Sequence, residues 1–259
     1  MAGVYAMAGV ADQVHGLKQQ QCIDVLCGYL RLPYSPDIGA NHQHQLIVRR
    51  PSGDLRPEVE EHHSYRQNDR VVRQTIVNVV KAHLRDTAEI SWSKCNFDFH
   101  GVLFEQANFG GVEFAGRFTS FAGAYFAETT RFGSARFIGV TTFADANFTD
   151  NTDFSGASFS GVTLFNGTHF AGFTDFSAAR FTGSTLFFAS EFTKFASFDS
   201  AYFAGKTGFN FAQFSLSAVD FGNPERWDPP PKFDWDDDPT TKPANVEPAE
   251  WPPVVNDGK

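Results

Sequence analysis

Four histidines stand where this chain could hold a metal: His42 and His44, two positions apart, and the adjacent pair His62 and His63. Two histidines two residues apart on an extended segment can share one ion. No cysteine or carboxylate completes a recognised ligand spacing around them, so a solvated loop is the expected reading, with no metal and no cofactor. Cys22, Cys27 and Cys95 form neither an even-numbered framework nor a two-residue metal spacing, which points to reduced thiols and a cytoplasmic setting. The chain shows no G-x-S-x-G, P-loop or dinucleotide-binding glycine pattern, and no Cys–His pair sits in a recognised motif. No catalytic residue is assigned and an enzyme is not expected. Carboxylates such as Asp145, Asp150, Asp153 and Glu191 read as solubilising charges on a solvated face.

The elements that would have to position any such group are set by phenylalanine. All 30 Phe of the 259 residues lie from Phe97 onward. After Phe99, Phe104, Phe109 and Phe114, the spacing becomes a strict alternation of five and six. It runs through Phe121, Phe126, Phe132, Phe137, Phe143, Phe148, Phe154, Phe159, Phe165, Phe170, Phe176, Phe181, Phe187, Phe192, Phe198, Phe203, Phe209 and Phe214. Two positions before these stand small residues, mostly Ala before one Phe of each pair and Thr before the other, as at Thr119, Ala124, Thr141 and Ala146. Residues two apart share a face of an extended chain, so the small residue and the Phe both point inward. Gly, Asp, Asn and Ser break the runs at corners. The unit is eleven residues, and the added ones, Thr129, Val140, Asn151, Val162, Phe173, Ser184, Phe195 and Lys206, fall at corners as one-residue bulges.

These motifs, as they stand in Ala107-Asn108-Phe109, Ala146-Asn147-Phe148 and Ala157-Ser158-Phe159, resemble those of the pentapeptide-repeat proteins over roughly half the chain. The resemblance implies a mainly β fold: a right-handed, four-sided β-helix with one repeat per side. The eleven-residue period departs from regular pentapeptides. Two units then make a 22-residue coil, whose core is four aromatic columns, one of them Phe121, Phe143, Phe165, Phe187 and Phe209. Five to six coils at the strand spacing give a rod about 25–30 Å long. Each inward Phe contributes on the order of 1.5–3 kcal/mol by burial.

Residues 1–96 read as an α-helical cap. Val4, Met7, Ala8 and Ala11 keep helical spacing over Val4 to Val14, and Cys22, Ile23, Leu26, Cys27 and Leu30 do so over Lys18 to Leu30. Ile76, Val77, Val80 and Leu84 mark a third helix over Asp69 to Arg85, a weak repeat of the second at a shift of 54. Between them, 35–68 reads as a polar loop. The segments around Gly3-Val4-Tyr5-Ala6, Cys22 to Tyr34 and Gln74-Thr75-Ile76-Val77 also resemble the helical region before the repeats of actinobacterial members, several of which carry membrane helices upstream. An upstream segment missing here would make the protein membrane-associated. Residues 224–259, with Pro229-Pro230-Pro231 and Asp236-Asp237-Asp238, read as a disordered acidic tail, against which stand Trp227, Trp235 and Trp251 as candidate docking groups.

Surface is what remains for function. The net charge is −9, of which the repeat (6 basic, 11 acidic) and the tail (4 basic, 9 acidic) each carry −5. That balance argues against direct nucleic-acid binding. Phe173 and Phe195, with Phe188 and Phe211, form a candidate partner-contact patch on otherwise polar outer faces. The leading expectation is a non-catalytic protein-interaction scaffold whose partner is another protein. The resemblance offers an alternative, a DNA-mimicking gyrase-binding protein, although −5 over such a rod is sparse beside a duplex with a charge every ~1.7 Å. A membrane-associated regulator is the further alternative, and a homodimer formed at the C-terminal coil the oligomeric one.

Overall fold

The computed structural model describes residues 1–34, 45–50, 59–64, 68–214 and 217–255. From Phe97 the chain winds into a four-sided parallel β-solenoid of about six turns, its sides being stacks of six, six, six and seven short strands. Each strand pairs in register with the strand one coil away, as Thr141 does with Thr119 and Thr163. Four columns of rings fill the interior. The first side contributes Phe99, Phe121, Phe143, Phe165, Phe187 and Phe209; the second Phe104, Phe126, Phe148, Phe170, Phe192 and Phe214. The third contributes Phe109, Phe132, Phe154, Phe176, Phe198 and Phe221, and the fourth Phe114, Phe137, Phe159, Phe181 and Phe203.

The ring geometry explains why the repeat selects Phe. Within a column the rings lie nearly parallel, 4.9 Å apart for Phe143 and Phe165, which matches the backbone spacing between coils. Across the core they meet edge to face, as Phe143 meets Phe154 at 5.6 Å and 86°. Of the eighteen Phe in the regular run, only Phe214 is half-buried and the rest are buried.

Five- and six-residue spacings make two kinds of corner. The five-residue corners close with a bond from the residue two before the next Phe back to the preceding Phe, such as Ala124 N–H to the Phe121 carbonyl at 3.0 Å. Their third residue has positive φ, as in a type II turn: Gly123 at 62°, Asp145 at 56°, Ala189 at 52°. The six-residue corners hold the added residues. At the fourth-to-first corner Gly116, Gly139, Gly161, Gly183 and Gly205 stack, and a Cβ on Gly161 would lie 2.1 Å from the Gly139 carbonyl oxygen.

The helices are α1 (Ala2–Gln13), α2 (Leu17–Leu30) and α3 (Asn68–Leu84). Their apolar stripes meet over the first coil, and Val4, Ala8, Ala11, Ile23, Leu26, Leu30, Ile76, Val80 and Leu84 are buried. The coil's unpaired edge is satisfied by side chains. Gln20 Nε2 donates to the Asn96 carbonyl and Asn96 N–H donates to Gln20 Oε1, both at 2.8 Å, so one amide imitates a strand. Arg31 donates to the carboxylate and backbone carbonyl of Asp98. The buried Arg73 guanidinium donates to the carbonyls of Leu30 and Leu32, both at 2.6 Å, closing the end of α2, while Asp69 accepts its Nε at 2.8 Å. Trp92 plugs the space beneath, stacked on His83 at 3.9 Å with its Nε1 donating to Asp12 at 2.9 Å.

Two expectations are corrected. The polar loop 35–68 contains an antiparallel hairpin, β1 (Gln45–Arg50) with β2 (Val59–Ser64). Neither strand alternates apolar and polar residues, so the pattern that identifies a strand was absent. The acidic tail is ordered over 224–255. Arg226–Trp227 pairs with Tyr202–Phe203, Val246–Glu247 pairs with Val219–Asp220, and Lys232 bridges to Gly208. Phe233 stacks on Phe209 at 5.0 Å and 2°, Trp235 meets Phe214 at 6.0 Å, and Trp251 meets Phe221 at 6.0 Å. Four large rings in so short a segment offset the acidic, proline-rich composition, because the last coil exposes a layer of Phe that these rings, with the buried Val246, cover.

Candidate interaction face

Outward chemistry is decided by the residue between each small residue and its Phe, and by the corners. Because the coils stack in register, each such position becomes a row along the rod. The second side is polar: Asn147, His169, Glu191 and Gln213 follow Leu103 and Tyr125, with His169 Nδ1 3.0 Å from Glu191. The third side is acidic, carrying Asp153, Asp175 and Asp220 with Arg131 and Ser197. Asp153, Asp175 and Asp220 each accept the N–H two residues on, at 2.7–2.8 Å, so they also brace the turns. Nearby, the Asn151 N–H and the Thr129 hydroxyl hold the exposed Asp150 carboxyl below its usual range. The fourth side carries Arg136, Arg180 and Arg226, engaged by Glu113 at 2.6 Å, by Glu225 at 2.9 Å, and by the Tyr202 ring, 3.9 Å from the Arg180 guanidinium.

The first side is apolar. Phe118 pairs in register with Val140, Val162 follows one coil on, and Leu164 pairs with Leu186. Phe188 and Phe211 extend the row at the first-to-second corner. Among the described residues of the solenoid the exposed large apolar ones are Phe118, Tyr125, Ile138, Val140, Val162, Phe173, Leu186, Phe188 and Phe211. Six of these nine line the first side, and they are 38–65% exposed. They lie in two neighbouring rows and a corner, which also carry Ser120, Thr142, Ser184, Lys206 and Gly208, and such a gathering of exposed apolar groups on one side marks a candidate interaction site.

The four Phe singled out in the sequence divide into two pairs. Phe173 and Phe195 stack at 5.5 Å on the second-to-third corner, whereas Phe188 and Phe211 meet edge to face at 5.3 Å across the second side from them. Only the latter pair joins the apolar row. Phe118, Leu164 and Leu186 escaped notice because each is unremarkable alone. In the coil they fall in two neighbouring rows of one side, Phe118 in register with Val140, and Leu164 with Leu186.

His42 and His44 lie outside the described residues, and His62 and His63 fall on β2. Among the described residues no group of three or more His, Cys, Asp or Glu is arranged to hold a metal. A crevice of about 20 Å³ between cap and first coil, lined in part by Tyr34, Arg70, Arg73 and Glu105, has room for a single water. No described helix is long and apolar enough to cross a membrane. The arrangement defines a helix-capped parallel β-solenoid with one apolar side. No protein-family model, curated protein or solved structure is significantly similar to the chain.

Proposed function

We propose that this chain is a non-catalytic interaction scaffold of the pentapeptide-repeat type, which docks a protein partner on its apolar first side. The observation that carries the reading is that, among the described residues of the solenoid, six of nine exposed large apolar side chains gather on one of four sides. A core filled by rings leaves no interior space for a substrate, which favours a surface role over catalysis. The acidic third side favours one other reading, the DNA mimic. The arginine row of the adjoining fourth side argues against it, because a duplex presents negative charge all round.

A pull-down from native lysate with the full chain as bait tests this reading. Recovery of a protein by the unmodified chain and its loss from a Val162→Ser, Phe188→Ser bait is the expected result. A Phe173→Ser, Phe195→Ser bait serves as the control on the opposite corner and keeps the partner. Equal recovery by all three baits overturns the assignment of the face, and recovery of gyrase by all three moves the conclusion to the DNA mimic.

A further inference from the structure

The first side has a polarity that selects one occupant. Along its leading edge, where the chain enters from the fourth side, stand Arg117 in the second coil and Lys206 in the sixth. Along its trailing edge stand Asp145 in the third coil and Asp234, just past the sixth. All four are exposed. Each carboxylate is thus one coil further along the rod than a cation on the opposite edge.

Resting on the reading of this side as a docking surface, we infer that its occupant is the same side of a second copy, the two rods lying parallel about a two-fold axis along their length. That operator puts the leading edge of each coil against the trailing edge of the partner's equivalent coil. Arg117 then faces the partner's Asp145, and Lys206 the partner's Asp234, each offset by one coil of roughly 4.8 Å, which both long side chains span. By symmetry the two pairings occur twice. The antiparallel arrangement lays leading edge on leading edge and brings Arg117 toward the partner's Lys206, a repulsion.

Shape agrees with charge. In the parallel arrangement Phe118 meets the partner's Ala122-Gly123, and Phe188 meets the partner's Gly183-Ser184, large groups over small ones. Leu164 and Leu186 lie in the middle of the side, each near its own symmetry copy. Six strands at the coil spacing, by a side some 15–20 Å wide, give about 500 Å² per copy and about 1,000 Å² in all. That is the low end for a specific interface, where weak and transient contacts lie. Both ends of the solenoid are closed, one by the helices and one by the tail, which leaves its sides for contact.

Sedimentation velocity of the full chain from about 1 to 200 μM, at low salt, tests the inference, with circular dichroism as the control on folding. The unmodified chain should move from monomer to dimer within that range. Leu164→Asp or Leu186→Asp, which sets like charges beside the axis, should weaken association at least tenfold. Arg117→Glu and Asp145→Lys should each weaken it several-fold, and the two together should restore it. A chain monomeric throughout, a dimer indifferent to Leu164→Asp, or a double variant no better than the worse single overturns the inference. A monomeric chain that still captures a different protein through the first side leaves the docking reading standing; a self-associating chain that captures nothing does the reverse.

Discussion

Single residues in this solenoid are judged by what the next coil places against them. Thr130, Thr152, Thr174 and Thr207 occupy the small inward positions, and each hydroxyl donates to the carbonyl two residues before it, at 3.1–3.4 Å. Thr141, Thr163 and Thr185, stacked on the first side, bury hydroxyls that have no such partner. A buried hydroxyl without a partner costs free energy that a methyl group of the same shape does not. Thr163→Val should therefore leave stability unchanged or raise it by up to about 1 kcal/mol. Two positions away the outcome inverts: a methyl on Gly161 would sit 2.1 Å from the Gly139 carbonyl oxygen and 2.5 Å from that of Ile138. Backbone cannot yield as a side chain does, so Gly161→Ala should cost about 2–3 kcal/mol or more. Chemical denaturation of both variants checks the pair, and a Gly161→Ala protein as stable as its parent would refute the close coil contact.

At the scale of elements, the cap exists because a stack of parallel strands ends in unpaired backbone and open ring faces. Gln20, Arg31 and Trp92 meet those needs with an amide, a guanidinium and an indole, which no apolar stripe reveals. The same burial controls the thiols. Cys27 is buried in α2, and burial pushes its thiol from 9.0 up to about 12, whereas Cys22 is half-buried. Because the folded protein holds this proton more tightly than the unfolded chain, the contribution is complete below pH 9.0 and is lost as pH rises toward 12. The melting temperature of the cap should fall in that window, and Cys27→Ala should lower it at neutral pH but flatten the alkaline fall. Limited thiol labelling at pH 8 should modify Cys22 before Cys27; the reverse order would contradict the packing of α2 on the first coil.

At the scale of the whole molecule, the tail completes what the repeat leaves open. Trp227, Phe233, Trp235 and Trp251 close over Phe214 and Phe221, so the rod ends in an aromatic lid at one pole and a helical one at the other. Truncation after Asn223 should expose the last ring layer and the edge of every final strand. Such a chain should melt at a lower temperature and scatter light at concentrations where the full chain stays clear. If the truncated chain is as stable and as soluble as the full one, the tail is an accessory and not a lid. The lid also bears on association, since an end already covered leaves the sides to make contacts.

How much of this was legible depends on whether a feature repeats. The five-plus-six spacing of Phe and the small residue two before it carried the four columns, the corners and the number of coils, because stacking makes every unit restate the same local rule. Helical periodicity likewise located α1, α2 and α3 to within a residue or two of their bounds. The hairpin of β1 and β2 was hidden, as neither strand alternates, and the ordered tail was hidden because its acidic composition outweighed its few rings. The apolar side, too, lay between the lines: Phe118, Val140, Val162 and Leu186 are far apart in sequence and neighbours only once two repeats close a coil. What the amino-acid sequence determined alone was therefore the interior, where each position must satisfy a local period. Which residues share an outer side, and what covers the two ends, was decided by coil closure, a non-local constraint that only the tertiary structure imposes.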